Sequence, residues 1–382
     1  MKSASSTTID PKSELDRINV LLPLPLERPY TYAVPHNLSD QYILKCGDFV
    51  SVPIGSRVMF GVVWEGKTSD IAQDKIRNII SKVDLPPMPE STRRFAEWVS
   101  KYNMAALGSV LKMLMSVPDA LEPPKLIKAY SLNTKIPEFK KTPSRLKVIE
   151  VLKDGQSLTA KSIIENSGVG YSVIKGLQKI EVLNAVDKSR YPRFGVPDWR
   201  ARGPKLNSDQ DLTAQKIRSD VKKSQFTVNV LEGVPGSGKT EVYLEAICEA
   251  LSKGKQALIL LPEITLGAQW FKRFKNRFGC APAEWHSDLS SSKRTMTWRA
   301  VATGEATVVV GARSALFLPY HSLGVIIIDE EHDQSFKQEE GVIYNARDMA
   351  VVLANLSKIP INLVSATPSL ETLHNVSLGR YE

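Results

Sequence analysis

The sequence predicts a multidomain α/β protein with a small N-terminal β domain, a central three-helix domain and a C-terminal lobe built on a parallel sheet. Three observations predict this organisation. Short β-branched runs give way to a helical pattern near residue 90, a glycine-rich phosphate-loop motif lies at 233–240, and apolar runs alternate with helical patterns from residue 205 onwards. A length of 382 residues accommodates two or three domains.

Residues 1–110 are predicted to start as a small β barrel or sandwich and to continue with a helix. Runs rich in β-branched and aromatic residues are separated by Pro, Gly, Asn and Asp, which is typical of short strands. The predicted strands are 18–22, 30–34, 48–53, 57–65 and 77–83. Residues 91–102 place Phe95, Trp98 and Val99 on one face of a helix.

The central part of the chain is predicted to be a linker followed by a helical domain. The linker, 111–140, is rich in proline and lysine and has an edge strand near 129–132. Residues 141–195 contain helical patterns with a glycine turn before the last, which carries Lys175 and Lys179. This pattern fits a winged-helix DNA-binding domain. A plain three-helix unit with a solvated lysine face is the alternative. The helical patterns are 144–153, 160–166 and 171–180.

Residues 205–382 are predicted to form a parallel sheet covered by helices on both faces, because near-continuous apolar runs alternate with helical patterns. The apolar runs are 226–231, 257–261, 307–311, 324–328 and 361–365. The first run leads into G-x-x-x-x-G-K-T, and a helical pattern follows, which is the context of a P-loop. The loop residues are Gly233, Val234, Pro235, Gly236, Ser237, Gly238, Lys239 and Thr240.

The P-loop residues predict binding of a nucleoside triphosphate. Glycines allow the backbone N–H groups to form a concave anion site, and the following helix directs its positive end at the phosphates. Lys239 reaches the β- and γ-phosphates, and Thr240 offers a hydroxyl to Mg²⁺. After the fourth apolar run, Asp329 is predicted to hold Mg²⁺ and Glu330 to polarise the attacking water. These four residues are the predicted catalytic residues.

Three further segments follow apolar runs of the lobe, where open α/β sheets bind their ligands. Thr265, Arg313 and Ser314 are predicted to hold a phosphodiester. Ser365 and Thr367 are predicted to couple the γ-phosphate to a second site, with a simple strand-to-loop turn as the alternative. Together with the P-loop, these segments resemble the motifs of superfamily-2 helicases, which implies one RecA-like lobe.

Positive charge is concentrated in the first half of the chain. Residues 1–200 hold 29 Lys and Arg against 21 Asp and Glu, whereas 201–382 hold 21 against 20. The excess in the half without the P-loop predicts a polyanion partner, with a merely soluble basic surface as the alternative.

Cysteine content and hydropathy exclude several classes of protein. Cys46, Cys248 and Cys280 form no C-x-x-C pair, which excludes a cysteine-rich zinc module within this sequence and argues against a disulfide framework. The apolar stretches are too short to span a bilayer, and the first eight residues contain no apolar secretory core. We therefore expect a cytoplasmic protein.

Several segments closely resemble the PriA family of bacterial replication restart helicases. They are 22–32, 52–55, 262–264, 329–333, 344–348 and 365–372. The resemblance covers nearly the whole chain. It implies an ATP- and Mg²⁺-dependent 3′→5′ DNA helicase that binds stalled forks, in which 1–110 recognise the 3′ end of a nascent strand, 141–195 are a winged helix and 205–382 are the first RecA-like lobe.

The same resemblance implies roles for further residues. Gln210 lies in a segment similar to the family's adenine-contacting motif. The family usually has an acid where Thr31 stands, and that position takes part in recognition of the terminal 3′-hydroxyl. It usually has a tryptophan where Val342 stands, in the loop that couples DNA binding to hydrolysis. The implied 3′-end pocket consists of Tyr30, Thr31, Gly55 and Arg77. The residues implied in coupling or DNA contact, besides those above, are Phe336, Lys337, Tyr344 and Arg347.

The resemblance also implies partners: forks and single-strand/duplex junctions, primosome proteins, single-stranded DNA-binding protein and a loader of the replicative helicase. The family continues with a zinc module, a second RecA-like lobe with an arginine finger and a C-terminal domain, and zinc is expected only for that full family. We therefore expect this polypeptide alone to hydrolyse ATP poorly and not to unwind DNA. A non-catalytic fork-binding module and a superfamily-2 translocase of repair or restriction are the alternatives.

Overall fold

The computed structural model divides the chain into two compact units. The first unit comprises the residues up to Glu122 together with Phe194–Glu382, and the second comprises Pro123–Arg193. None of the helices in the described part of the chain has the length and apolarity needed to cross a membrane. The residues that the structure describes are 17–35, 38, 43–66, 72, 75–123, 126–189, 191–262 and 267–382.

An antiparallel five-stranded sheet opens the first unit, in the order β2-β1-β4-β3-β5. Its strands are β1 (Arg17–Leu21), β2 (Tyr30–Ala33), β3 (Phe49–Ile54), β4 (Arg57–Trp64) and β5 (Ser81–Lys82). Ala33 forms a bridge with Asn78, just before β5, so the two edges of the sheet meet and the sheet closes into a small barrel. Within the predicted strand 77–83, only Ser81 and Lys82 form a regular strand. Asn78 forms the isolated bridge with Ala33 instead.

Two helices follow the barrel and share a hydrophobic core with the parallel α/β lobe. They are α1 (Glu90–Tyr102) and α2 (Leu107–Leu114). The Phe95 ring lies 5.5 Å from that of Phe317 in the lobe. Trp298 Nε1 donates to the carbonyl of Leu114 at 2.8 Å, and Arg299 donates to the carbonyl of Asp84 at 3.0 Å. The barrel and the lobe are therefore joined by buried contacts within one unit.

The second unit combines three helices with a three-stranded antiparallel sheet in the order β7-β6-β8. Its elements are β6 (Leu126–Leu132), α3 (Pro143–Leu152), β7 (Leu158–Thr159), α4 (Ala160–Ser167), α5 (Tyr171–Lys179) and β8 (Leu183–Ser189). Helix α4 ends at Gly168, whose φ of 67° lets the chain turn into α5. The segment 111–140, expected to be a linker, contains β6. This strand is central rather than an edge strand, because β8, which follows later in the chain, pairs with β6 along its whole length.

The α/β lobe is a six-stranded, entirely parallel sheet in the order β11-β12-β10-β13-β16-β9. Its strands are β9 (Val228–Glu232), β10 (Gln256–Leu260), β11 (Ala283–Trp285), β12 (Val308–Gly311), β13 (Leu323–Asp329) and β16 (Ile361–Ser365), and a separate hairpin consists of β14 (Lys337–Gln338) and β15 (Tyr344–Asn345). Its helices are α6 (Ser208–Lys223), α7 (Lys239–Ser252), α8 (Ala268–Phe278), α9 (Ser291–Thr303), α10 (Ala346–Ser357) and α11 (Leu370–Ser377). The predicted mixed α/β fold, with an antiparallel N-terminal sheet and a parallel lobe, is confirmed.

The strand order of the lobe brings distant sequence motifs to one edge. Strand β16 lies between β13 and β9, and the register pairs Asp329 with Val364 and Ser365 with Glu232. All three strands run in the same direction, so their carboxyl ends lie side by side. Strand β11, which has only three residues, escaped prediction because it contains no apolar run.

Candidate nucleotide site and DNA-binding surfaces

The loop between β9 and α7 has the backbone conformation that its glycines permit. Gly236 and Gly238 have φ values of 80° and 84°, in the left-handed region that side chains with a Cβ rarely adopt. A Cβ on Gly238 would also lie 2.5 Å from the amide nitrogen of Gln210. Lys239 and Thr240 then begin α7, so the N-terminal N–H groups of this helix face the loop.

Gln210 fixes the loop against the start of α6. Its side-chain oxygen accepts from the backbone N–H of Asn207, whose own side chain accepts from the backbone N–H of Gln210, each at 2.9 Å. The same glutamine donates from its amide to the carbonyl of Ser237 at 2.8 Å. Gln210 therefore caps a helix and supports the loop at once, and its contact with adenine stays a prediction.

Several polar groups of the loop fit a phosphate. Lys239 Nζ is held by the carbonyls of Gly233 at 2.5 Å and Val234 at 3.3 Å. Ser237 Oγ is buried and finds no hydrogen-bond partner among the described residues. A cation, an unpaired hydroxyl and a helix N-terminus thus converge on a loop without bulky side chains, which is suited to binding an anion.

The two predicted acids at the end of β13 differ in environment. Asp329 Oδ2 accepts a hydrogen bond from the Tyr243 hydroxyl at 2.9 Å. Burial raises the pKa of Asp329 above its ordinary value, and this hydrogen bond opposes the shift. Glu330 has a φ of 52°, which a non-glycine residue adopts only at a cost in free energy. This turn ends the strand and leaves the Glu330 side chain partly exposed beside the partly buried Asp329.

Ser365 at the end of β16 is connected to the acid-bearing turn. Its hydroxyl lies 2.8 Å from His332 Nδ1 and accepts from the backbone N–H of Thr367 at 2.9 Å. His332 Nδ1 in turn lies 3.7 Å from a Glu330 carboxylate oxygen. Ser365 is fully buried, whereas Thr367 is exposed. The His332 ring therefore lies between the Ser365 hydroxyl and the Glu330 carboxylate.

Glu331 forms a buried ion pair with Arg347, for which the family resemblance implies a role in coupling or DNA contact. The Glu331 carboxylate is fully buried, 3.2 Å from Arg347 Nη1. It also accepts from the Ser369 backbone N–H at 2.7 Å and from the Thr372 hydroxyl at 3.1 Å. Arg347 has a second carboxylate partner in Asp348, at 2.9 Å. The structure therefore places Arg347 inside a network that joins the turn after β13 to α10 and α11.

The other residues predicted to contact DNA divide between exposed and buried positions. Ser314 and Lys337 are exposed, and Arg313 donates to the carbonyls of Ser335 at 3.1 Å and Lys337 at 2.8 Å. Phe336 and Tyr344 are buried, and Tyr344 packs edge-on against Phe317 at 5.0 Å. Neither of these two rings offers a face to a base in this structure. Thr265 lies outside the described residues.

Three of the four residues predicted for the 3′-end pocket are grouped on the barrel. Arg77 Nη1 donates to the carbonyl of Gly55 at 2.6 Å, and Tyr30 is half-exposed nearby. Thr31 lies on the opposite face of β2, because side chains alternate along a strand. Its hydroxyl donates to Asn19 Oδ1 at 3.1 Å.

The contacts of Tyr243, Trp270 and Glu331 near the predicted acids were not predicted from the sequence. Tyr243 is four residues after Lys239, one turn further along α7. A residue at this spacing fits the apolar face of the helix as well as it fits the site. Trp270 occupied an apolar position of α8. Glu331 stood next to the predicted acids, and only its complete burial distinguishes it from an exposed carboxylate.

Comparison with known proteins identifies the family. The PriA 3′DNA-binding domain (3′BD) family matches residues 19–116, and the DEAD/DEAH box helicase family matches residues 208–376. Replication restart protein PriA of Rickettsia felis is 33% identical over 95% of this chain and 44% of its own length, and that of Haemophilus influenzae is 34% identical over 96% and 51%. The solved Hef helicase domain of Pyrococcus furiosus aligns with a TM-score of 0.35 at 18% identity, over 46% of this chain and 37% of its own. The chain spans about half the length of these curated relatives. It belongs to the PriA family of replication restart proteins.

Proposed function

We propose that this protein binds Mg²⁺–ATP at the P-loop and branched DNA through its N-terminal barrel and its three-helix unit. The observation that carries the proposal is the convergence of the P-loop, Asp329 and Ser365 at the carboxyl ends of three adjacent parallel strands. Open α/β sheets bind nucleotides at this edge. The barrel distinguishes this chain from translocases that share only the motor lobe.

The chemistry assigned to the site is phosphoryl transfer to water. Loop N–H groups and Lys239 bind the β- and γ-phosphates, and Thr240 and Asp329 hold Mg²⁺. The metal ion supplies charge neutralisation on the phosphates when it is bound. Glu330, on the strained turn beside Asp329, orients the attacking water and accepts its proton. The hydrogen bond between Ser365 and His332 connects this glutamate to the following loop.

DNA contact is assigned to two surfaces. On the barrel, Tyr30, Gly55 and Arg77 receive the end of a strand. In the second unit, Lys175 and Lys179 are exposed one turn apart on α5, opposite the buried side chains of Ile174 and Leu177. This is the presentation of cations expected of a recognition helix that contacts phosphates.

At the level of the whole machinery, we assign this chain to restart of DNA replication in the cytoplasm by an ATP-dependent 3′→5′ helicase. Primosome proteins, single-stranded DNA-binding protein and the loader of the replicative helicase are its proposed partners. In the lobe, Arg313, Ser314 and Lys337 are the proposed contacts to the strand along which it moves.

Steady-state ATP hydrolysis, with and without forked DNA, tests the proposed activity. We expect turnover that is slow for a helicase but is stimulated by forked DNA. Glu330→Gln is expected to lower it by about a hundredfold or more, because the water loses the residue that orients it. Nucleotide binding by Glu330→Gln is the control and is expected to persist. Fork binding without any turnover in the wild type would instead support a non-catalytic fork-binding module.

The 3′-end pocket is tested with Arg77→Ala. We expect about tenfold weaker binding to a fork that presents a 3′ end at its junction, because a charge-assisted contact is lost. Binding to the same fork without that strand is expected to stay within about twofold. Fluorescence anisotropy measures both, and Arg94→Ala, which removes an exposed arginine from α1, is the matched control. An equal loss of affinity for both forks would show that Arg77 contributes only non-specific electrostatic attraction to DNA.

A further inference from the structure

Three side chains form a hydrogen-bonded chain that ends on Asp329. Trp270 Nε1 in α8 donates to the Tyr243 hydroxyl in α7 at 2.8 Å, and this hydroxyl donates to Asp329 Oδ2 at 2.9 Å. Tyr243 is fully buried, so water does not compete for these bonds. The chain connects α8, α7 and the carboxyl end of β13.

The direction of every bond in this chain is determined by chemistry. An indole N–H is a donor only, so the Tyr243 oxygen must accept from Trp270. The single proton of the tyrosine hydroxyl is then available for the carboxylate. One oxygen of Asp329 is thereby held by a buried donor, which restricts the rotation of the carboxylate.

Trp270 lies in the first turn of α8 and is held there. Its backbone N–H donates to the carbonyl of Gly267 at 3.1 Å. Its ring stacks on Phe274, with centroids 5.6 Å apart, and Phe274 is buried. These contacts hold the indole N–H beside the Tyr243 hydroxyl.

We propose that Tyr243 is a positioning residue for the metal-binding carboxylate of Asp329, and that Trp270 fixes the orientation of the tyrosine hydroxyl. The inference rests on the proposed function, because it concerns the site where Mg²⁺–nucleotide binds.

Tyr243→Phe and Trp270→Phe test this proposal in the full chain, because each keeps the ring and removes one hydrogen bond. The probe is a fluorescent ADP analogue, titrated in Mg²⁺ and in EDTA. Tyr243→Phe is expected to weaken binding about tenfold in Mg²⁺ and to leave binding in EDTA within about twofold. Trp270→Phe is expected to weaken binding in Mg²⁺ about threefold and also to leave binding in EDTA within about twofold.

Tryptophan fluorescence provides a second readout. Mg²⁺–nucleotide is expected to change the emission of the wild type, and this change is expected to disappear in Trp270→Phe but to persist in Trp199→Phe, the matched control outside the chain of bonds. A nucleotide affinity that depends on Mg²⁺ in both variants as it does in the wild type would overturn the inference while leaving the proposed function intact. A wild type that binds no nucleotide would overturn the proposed function itself. Trp270→Phe decides the question independently if Tyr243→Phe does not fold.

Discussion

Lys239→Ala is expected to lower the affinity for ATP by about a hundredfold, measured by titration of a fluorescent nucleotide. The ammonium group is already at the loop, 2.5 Å from the carbonyl of Gly233, and phosphates would replace these carbonyls as its partners. Two charge-assisted hydrogen bonds to phosphate are worth about 3 kcal/mol or more in total, which corresponds to this loss. The effect is expected to be the largest of any single change in the loop.

The specificity of the Lys239→Ala effect is controlled by Lys223→Ala. Lys223 is an exposed lysine at the end of α6, 4.0 Å from Asp220 and away from the loop. Affinity for forked DNA is expected to stay within about twofold in both variants, because the barrel and the three-helix unit supply those contacts. Unchanged nucleotide affinity in Lys239→Ala would contradict the assignment of the loop, and a large loss of fork affinity would contradict the separation of the two functions.

Glu331→Ala is expected to destabilise the first unit by about 3–5 kcal/mol. The substitution leaves Arg347, which is 8% exposed, without its buried partner, and it leaves the Ser369 N–H and the Thr372 hydroxyl without their acceptor. Breaking a buried ion pair costs far more than breaking an exposed one, because the remaining charge stays away from water. Urea unfolding, followed by far-ultraviolet circular dichroism, measures the loss.

Glu90→Ala is the control for this prediction. Glu90 pairs with Arg94 on the surface of α1, where both side chains are about 60% exposed, and such pairs contribute about 0–1 kcal/mol. Arg347 also lies 2.9 Å from an Asp348 carboxylate oxygen and 3.9 Å from a Glu371 carboxylate oxygen. A Glu331→Ala protein as stable as Glu90→Ala would mean that these two acids compensate the charge of Arg347 fully and that Glu331 does not stabilise the lobe.

Much of the nucleotide site was predictable because its determinants are local in sequence. The loop 233–240 carries its own conformational requirements, since Gly236 and Gly238 are needed at positive φ and the following residues start a helix. The apolar runs of the lobe predicted parallel strands, since a strand buried on both faces must be apolar throughout. The change from strands to a helix near residue 90 followed from the period of the apolar residues alone.

Tertiary structure alone decided which side chains meet. Strand β6 lies in the middle of its sheet because β8, about fifty residues later, pairs with it, and nothing within 126–132 encodes that partner. Thr31 turns away from Tyr30 and Arg77 because the register of β1 and β2 brings it to Asn19.

The fold class, the P-loop and the acids at the end of a strand could be predicted from the sequence, because each depends on neighbours a few residues away. The contacts around these acids depend on the strand order β13-β16-β9 and on helix packing, which bring residues dozens of positions apart within hydrogen-bond distance. Tyr243 and Trp270 had the pattern of ordinary helix-core residues, and only their common contact beside Asp329 distinguishes them.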